Sequence, residues 1–262
     1  MMTGTDRTIG AGPSTVPSSE SGGAFHEHGG QTVPAERSTG ITTGTTTVGL
    51  VGRDGVALAA DRRASLGGRF VTNRSARKIE PVADRIAVAF SGSVGDAQSF
   101  VRQLRADLRA YELRHDGPVS VRTAATVAGA LVRRGPFQAL DLVLGGVDDT
   151  PAVYQVGGGG GVMETRYAAS GSGMQLAYGT LEDTYEPDLS VTALRSVAAT
   201  AVRNATERDT ASGDGMTVGT ITGDGLEIEA FDGIATALEA TSDTDGKTDP
   251  RSVAGETGEE ER

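Results

Sequence analysis

From residue 45 onward the apolar positions first fall into short β-branched runs. Residues 45–51 and 55–61 flank Gly52-Arg53-Asp54-Gly55, a turn signal, and together predict a hairpin. Residues 85–91 (RIAVAFS) make another such run, ending at Gly92. The period then changes. Val94, Ala97, Phe100, Val101, Leu104, Leu108 and Tyr111 recur at spacings of three and four, which predicts a helix over 93–114. A second helix is expected over 119–134, ended by Gly135-Pro136. Strand patterns return at 140–144, 152–156 and 162–169, helical ones at 174–181 and 191–208, and strands again at 216–222 and 226–231. This grouping predicts an α+β fold of two stacked sheets covered by helix layers.

The two ends of the chain lack either period. Residues 1–40 are mostly Gly, Ser, Thr, Pro and charge, too polar to fold alone, so a leader that is disordered or dependent on a partner is expected. Residues 236–262 hold eight acidic and three basic residues with almost no large apolar side chain, which reads as a solvated, mobile tail. The run Gly157 to Gly161 lacks the Lys-Ser or Lys-Thr of a phosphate loop and sits between two strand patterns, so it reads as a hairpin turn.

Composition removes whole classes of chemistry. The chain has no Cys, hence no disulfide, no thiolate nucleophile and no thiolate metal site. Of three His, His26 and His28 lie in the leader, and His115 stands at a helix end where a cation is expected on electrostatic grounds alone. A HExxH zinc site does not occur. The net charge of -11 argues against nucleic acid as a partner. No stretch approaches the ~20 apolar residues of a membrane span, and the start of the chain lacks a secretory signal, so a cytoplasmic protein is expected. Among the 24 basic residues only Lys78 and Lys247 are lysines, and Lys247 lies in the acidic tail. Lys78 is therefore the one lysine of the expected folded part.

Amide hydrolysis without His or Cys needs another base beside a hydroxyl. A free terminal amine next to its own Thr side chain is one solution. Gly44-Thr45-Thr46-Thr47-Val48-Gly49 offers a place for it, although three threonines also begin β-strands.

That segment, followed by Ala59-Ala60-Asp61-Arg62-Arg63-Ala64, resembles the mature start of proteasome β subunits. The likeness continues in order through Arg77-Lys78-Ile79, Ser91-Gly92-Ser93-Val94-Gly95-Asp96-Ala97-Gln98, Leu144-Gly145-Gly146-Val147-Asp148, Ser170-Gly171-Ser172-Gly173 and Arg208-Asp209-Thr210-Ala211-Ser212-Gly213, and is closest to archaeal, especially haloarchaeal, members. It implies the four-layer α/β/β/α sandwich of N-terminal nucleophile hydrolases and a threonine endopeptidase made as a precursor. The domains would be a propeptide, 1–44, a catalytic domain, 45–235, and the acidic tail, 236–262. Cleavage between Gly44 and Thr45, expected to be autocatalytic after ring assembly, would create nucleophile and base together.

The resemblance also implies roles for single residues. Thr45 would attack through its hydroxyl while its α-amine takes the proton, and an ordinary α-amine, at about 7.7 to 8.0, suits that task near neutral pH. Lys78 would stabilise the ionised hydroxyl, and Asp61 would hold Lys78 charged and oriented. Arg77 adjoins Lys78, which is preferred because Ile79 matches the apolar residue that follows and because an arginine fork does not replace a compact ammonium. Gly92 would turn its N–H toward a developing oxyanion, its missing side chain leaving room for the peptide. Ser172, Asp209 and Ser212 would support the terminal amine. Phe90 falls at the floor of a specificity pocket, with Ala64 and Val94 nearby, and an apolar pocket would favour cleavage after hydrophobic residues.

By the same resemblance, seven copies form a ring, two such rings stack, and α-type rings cap them. A regulatory ATPase would deliver unfolded polypeptide, and hydrolysis would need no metal or organic cofactor. Two other readings stand beside this one: a bacterial HslV-type threonine protease, and a noncatalytic ring subunit. The Arg208-Asp209 to Ser212-Gly213 block and the long leader speak against the first, and the intact Gly44-Thr45 and Asp61/Lys78 pairs against the second.

Overall fold

The alternation in the apolar runs becomes two faces of two sheets. In the computed structural model, which describes residues 42–242, the elements are β1 (Thr42–Thr43), β2 (Thr47–Val51), β3 (Gly55–Asp61), β4 (Ala64–Leu66), β5 (Phe70–Asn73), β6 (Ile79–Ala83), β7 (Ile86–Ser93), α1 (Val94–His115), α2 (Val121–Arg134), β8 (Asp141–Val147), β9 (Pro151–Val156), β10 (Val162–Thr165), β11 (Tyr167–Ser170), α3 (Met174–Thr184), α4 (Val191–Thr206), β12 (Met216–Thr222), β13 (Gly225–Phe231) and α5 (Ile234–Ser242). One sheet runs β1-β7-β8-β9-β10, with β6 also paired to β7, and the other runs β11-β2-β3-β12-β13. The β4–β5 hairpin stands apart from both. Every pairing is antiparallel.

Along β7, Ile86, Val88 and Phe90 face α1 and α2, whereas Ala87 and Ala89 face the other sheet. On β3, Val56, Leu58 and Ala60 point between the sheets, and Ala57 and Ala59 toward α4. Three apolar layers result: helices on a sheet, sheet on sheet, sheet on helices. This is the α/β/β/α sandwich that the sequence order predicted. The middle layer is thin because its side chains are small. A Cβ placed on Gly49 would lie 2.6 Å from Val143, and one on Gly145 2.7 Å from Val56.

The helices start where serine hydroxyls cap them: Ser93, Ser120 and Ser190 accept from the N–H groups of Asp96, Thr123 and Ala193. Each cap contributes about 1 kcal/mol. The largest fully buried side chain of α1 is Phe100, edge-to-face with Phe137 at 5.6 Å. Emptying that position with Phe100→Ala would cost roughly 3–5 kcal/mol.

Four expectations change. The strand read over 162–169 is two strands in different sheets. At Arg166 the chain leaves the first sheet for the second, Thr165 Oγ1 bonding to the Tyr167 carbonyl at 2.8 Å, and alternation cannot register such a switch. The segment between residues 62 and 84, left without elements, contains β4, β5 and β6; polar side chains and Pro81 hide strands that lie at edges. Chain order continues past residue 235. Residues 234–242 form α5, with Ala237 and Thr241 buried against the second sheet's helix layer, so the tail begins later than read. The strand before α1 also runs through Gly92 to Ser93 rather than ending at Ser91.

Readings made for residues 1–41 and 243–262, the leader and most of the acidic tail, lie outside the described residues. Among the described residues, no helix is long and apolar enough to cross a membrane.

Candidate active site

Thr45 and Thr46 lie just before β2, an interior strand of the second sheet, and both are fully buried. Asp61 closes β3, the neighbour of β2, and Lys78 immediately precedes β6. Strand pairing thus brings residues 45, 61 and 78 to one end of the sandwich.

Lys78 is buried over its whole length, an unusual place for an ammonium, and its Nζ donates to Asp61 Oδ1 at 2.8 Å and to the carbonyl oxygen of Gly44 at 3.3 Å. Asp61 accepts from four donors. Oδ1 takes the Thr46 N–H at 2.9 Å besides Lys78, and Oδ2 takes the N–H groups of Arg63 at 3.0 Å and Gly213 at 2.8 Å. Burial raises the Asp61 carboxyl and lowers the Lys78 ammonium from their ordinary values, while their mutual attraction and these hydrogen bonds oppose both shifts. Removing one partner would strand a charge in a dry site at a cost of about 3–5 kcal/mol. Arg77, by contrast, is exposed and pairs with Glu80 at 3.5 Å.

On the other side of Thr45 the arrangement is built from hydroxyls. The Thr45 N–H donates to Ser172 Oγ at 3.1 Å. Ser172 Oγ lies 2.6 Å from Asp209 Oδ2 and 3.4 Å from the Thr45 carbonyl, so its single proton goes to the carboxylate. Ser212 Oγ also donates to Asp209 Oδ2 at 2.6 Å, which leaves Thr46 Oγ1 to donate to Ser212 at 2.9 Å. All six polar residues singled out in the sequence, Thr45, Asp61, Lys78, Ser172, Asp209 and Ser212, form one connected set.

Glycines let the backbone close around it. Gly171, at φ +94, brings its Cα so near the chain that a Cβ would fall 2.0 Å from the Thr45 carbonyl oxygen. Gly44 has similar neighbours: a Cβ there would sit 1.8 Å from that of Ala211. Gly92 lies within β7 opposite Thr43 and lines a cavity of about 520 Å³ with Gly44, Ser172 and Asp209. Its missing side chain makes room first for the Ala139 carbonyl, 2.1 Å from a built Cβ.

Ala64, Phe90 and Val94 line a second cavity of about 570 Å³. Ala97 and Val101 extend its apolar wall, and Arg77, Lys78, Glu80, Arg102 and Arg105 add charge to the lining, which no sequence period marked. Sequence reasoning also gave no role to Thr46, Arg63 or Asp214. Arg63 stood inside a quoted motif, but nothing in the string says that its backbone N–H binds Asp61.

The proteasome subunit family model matches residues 41–221. The chain is 53% identical over 197 residues to a proteasome subunit beta of Halorhabdus utahensis, covering 75% of this chain and 84% of that one. It is 50% identical over 191 residues to a proteasome subunit beta of Halomicrobium mukohataei, covering 72% and 81%, and 49% identical over 193 residues to proteasome subunit beta 2 of Haloarcula marismortui, covering 73% and 84%. A family match across the sandwich and this identity to haloarchaeal relatives lead to one conclusion: the chain belongs to the proteasome subunit family, among its archaeal β subunits.

Proposed function

We propose that the chain is a catalytic subunit of a proteasome core, a threonine endopeptidase whose nucleophile is Thr45 after cleavage of the Gly44–Thr45 bond. The observation that carries this reading is the position of Lys78, the one lysine among the described residues. Lys78 Nζ reaches the carbonyl oxygen of Gly44, which belongs to the bond to be cut, while Asp61 holds it from the other side. An ammonium at that point polarises the carbonyl before cleavage, and beside a freed Thr45 it favours the ionised hydroxyl.

In the uncut chain the nitrogen of Thr45 is an amide and cannot act as a base. Cleavage converts it to an amine whose hydrogen-bond partner, Ser172, is already in place. The amine takes the hydroxyl proton as Thr45 attacks a peptide carbonyl and returns it to the leaving amine as the C–N bond breaks; a water, deprotonated by the same amine, then cleaves the ester left on Thr45 and restores its hydroxyl. Ser172, Asp209 and Ser212 hold the amine's proton positions. The backbone N–H of Gly92 stabilises the oxyanion. Thr42 and Thr43 pair with Ser93 and Gly92 in antiparallel register, which supports a substrate lying along β7 in the same way. The cavity at Ala64, Phe90 and Val94 takes the side chain before the scissile bond. Its apolar inner wall favours hydrophobic residues, and Phe90 bounds their size.

The remaining features of the reading rest on the resemblance to proteasome β subunits alone: autocatalytic release of residues 1–44, a seven-membered ring stacked on a second and capped by α subunits, an ATPase partner, unfolded protein as substrate, and a cytoplasmic location. The test is Thr45→Ala in the assembled particle. Peptide hydrolysis is expected to vanish and assembly to persist, with residues 1–44 retained by intact mass. Normal hydrolysis by that variant would end the proposal.

A further inference from the structure

The loop after α4 turns sharply at Gly213 and Asp214, and both residues have positive φ, +149 and 70. Gly213 has no alternative, because at φ +149 a side chain is strained whatever space it has. Asp214 does have one, since a left-handed aspartate costs energy that glycine would avoid. What holds it is charge. Its Oδ2 accepts from Arg63 Nε at 2.7 Å, and its Oδ1 pairs with Arg74, at the end of the β4–β5 hairpin. The carboxylate side chain is only 10% exposed, and the two arginines hold its pKa below the usual range.

The turn so held touches the catalytic pair directly. Gly213 donates its N–H to Asp61 Oδ2, and Gly213 and Gly215 carbonyls accept from the Arg62 N–H. Arg63 contributes at both ends, its backbone N–H on Asp61 and its Nη1 on the Thr210 carbonyl at 2.9 Å. Asp209 and Ser212, on which the amine side of the site depends, belong to the same loop. One carboxylate therefore ties three parts together: the hairpin through Arg74, the strand end at Asp61 through Arg63, and the loop through its own backbone.

We infer that Asp214 is a positioning residue for hydrolysis at Thr45: clamped between Arg63 and Arg74, it sets the 209–214 loop against Asp61 and neutralises Arg63 beside Lys78. The inference rests on the reading of Thr45 as nucleophile. It has an electrostatic consequence that a mere tether would lack. Lys78 is faced by the charges of Asp61, Asp209 and Arg63, and the Arg63 charge disfavours its protonated form. With Asp214 neutral, Arg63 and Arg74 act uncompensated. Protonated Lys78 and a protonated Thr45 amine both become less favourable, so both limbs of a bell-shaped pH profile move toward acid.

The experiment uses the full chain assembled in its particle, with Thr45→Ala as a control and the number of leader-free Thr45 termini counted in each sample. Asp214→Asn keeps the shape and tolerates the left-handed backbone. It is expected to lower kcat for a short peptide by roughly tenfold with KM within about twofold, as small misplacements of catalytic groups do. Both limbs should shift by about half a pH unit to acid, and Asp214→Glu should restore the profile. A kcat per leader-free terminus and a pH profile equal to the parent's overturn the inference, whatever happens to Tm. If Asp214→Asn does not assemble, Arg74→Gln decides: its side chain is 70% exposed, so the fold is not at stake. Removing Arg74 takes away one of the two cations on Asp214, and kcat should fall two- to threefold; an unchanged kcat overturns the inference. Hydrolysis that survives Thr45→Ala instead defeats the nucleophile reading, and this inference with it.

Discussion

Two carboxylates flank Thr45 and Thr46, and they are held in opposite ways. Asp61 is fully buried, accepts from three backbone N–H groups, and faces an ammonium. Asp209 is half-exposed, and its partners are two serine hydroxyls and the Ala211 N–H. A dry carboxylate with four fixed donors keeps a charge in place and tolerates no substitution. A wetter one bonded to hydroxyls orients protons and can be relieved by water when a partner is lost. The first suits holding Lys78 against a carbonyl, and the second suits exchange with an amine.

The largest effect should come from breaking the dry side. Lys78→Arg keeps the charge but puts a planar fork where a compact ammonium is enclosed, and kcat of the assembled particle should drop roughly a thousandfold or more. Full activity in that variant would remove the argument from lysine. Lys78→Ala should in addition lower the unfolding free energy by about 3–5 kcal/mol, read by denaturant titration. The wet side should be more forgiving. Asp209→Asn leaves an acceptor oxygen for one serine, and a ten- to hundredfold loss of kcat with about 1 kcal/mol of stability is expected. A loss equal to that of Lys78→Arg would erase the distinction between the two carboxylates.

Ser212→Ala is a finer probe, because it removes only the link between Thr46 and Asp209; a few-fold loss of kcat is expected, with KM unchanged. The smallest effect is on stability and concerns Asp214. Its carboxyl lies below the ordinary range in the fold, so its contribution is full above the unfolded value of about 3.9 and is lost as pH falls through the lower folded value. Asp214→Asn should therefore lower Tm at pH 7, and the gap should close progressively below about pH 4. A gap that is the same at both pH values would show that the two arginines do not act through its charge.

Much of this was legible in the string. Helices α1, α2 and α4 show in the spacing of Phe100, Leu104 and Leu108, of Ala124, Ala125 and Ala128, and of Leu194, Ala198 and Val202, because a face must be apolar to be buried. Strands β3 and β12 show as short runs of apolar and β-branched residues for the same reason. The β4–β5 hairpin does not. Leu66 and Phe70 are exposed, so no burial pattern marks them. Nor does the switch at Arg166, since one alternation runs through two sheets.

For the site, a lysine among arginines and a threonine after glycine are local signals that mark Lys78 and Thr45, whereas Asp61, Ser172, Asp209 and Ser212 came only from the likeness to proteasome β subunits. Sequence alone also determined the layer order, which follows from where each period starts and stops. What only the tertiary structure decided was which groups meet: that Lys78 Nζ reaches the Gly44 carbonyl, that Gly213 lends its N–H to Asp61, and that Asp214 sits between two arginines from distant segments. Periodicity reports what each residue does to water, one position at a time. A hydrogen bond between residues 152 positions apart depends on how strands pair and cross, and no single position carries that information.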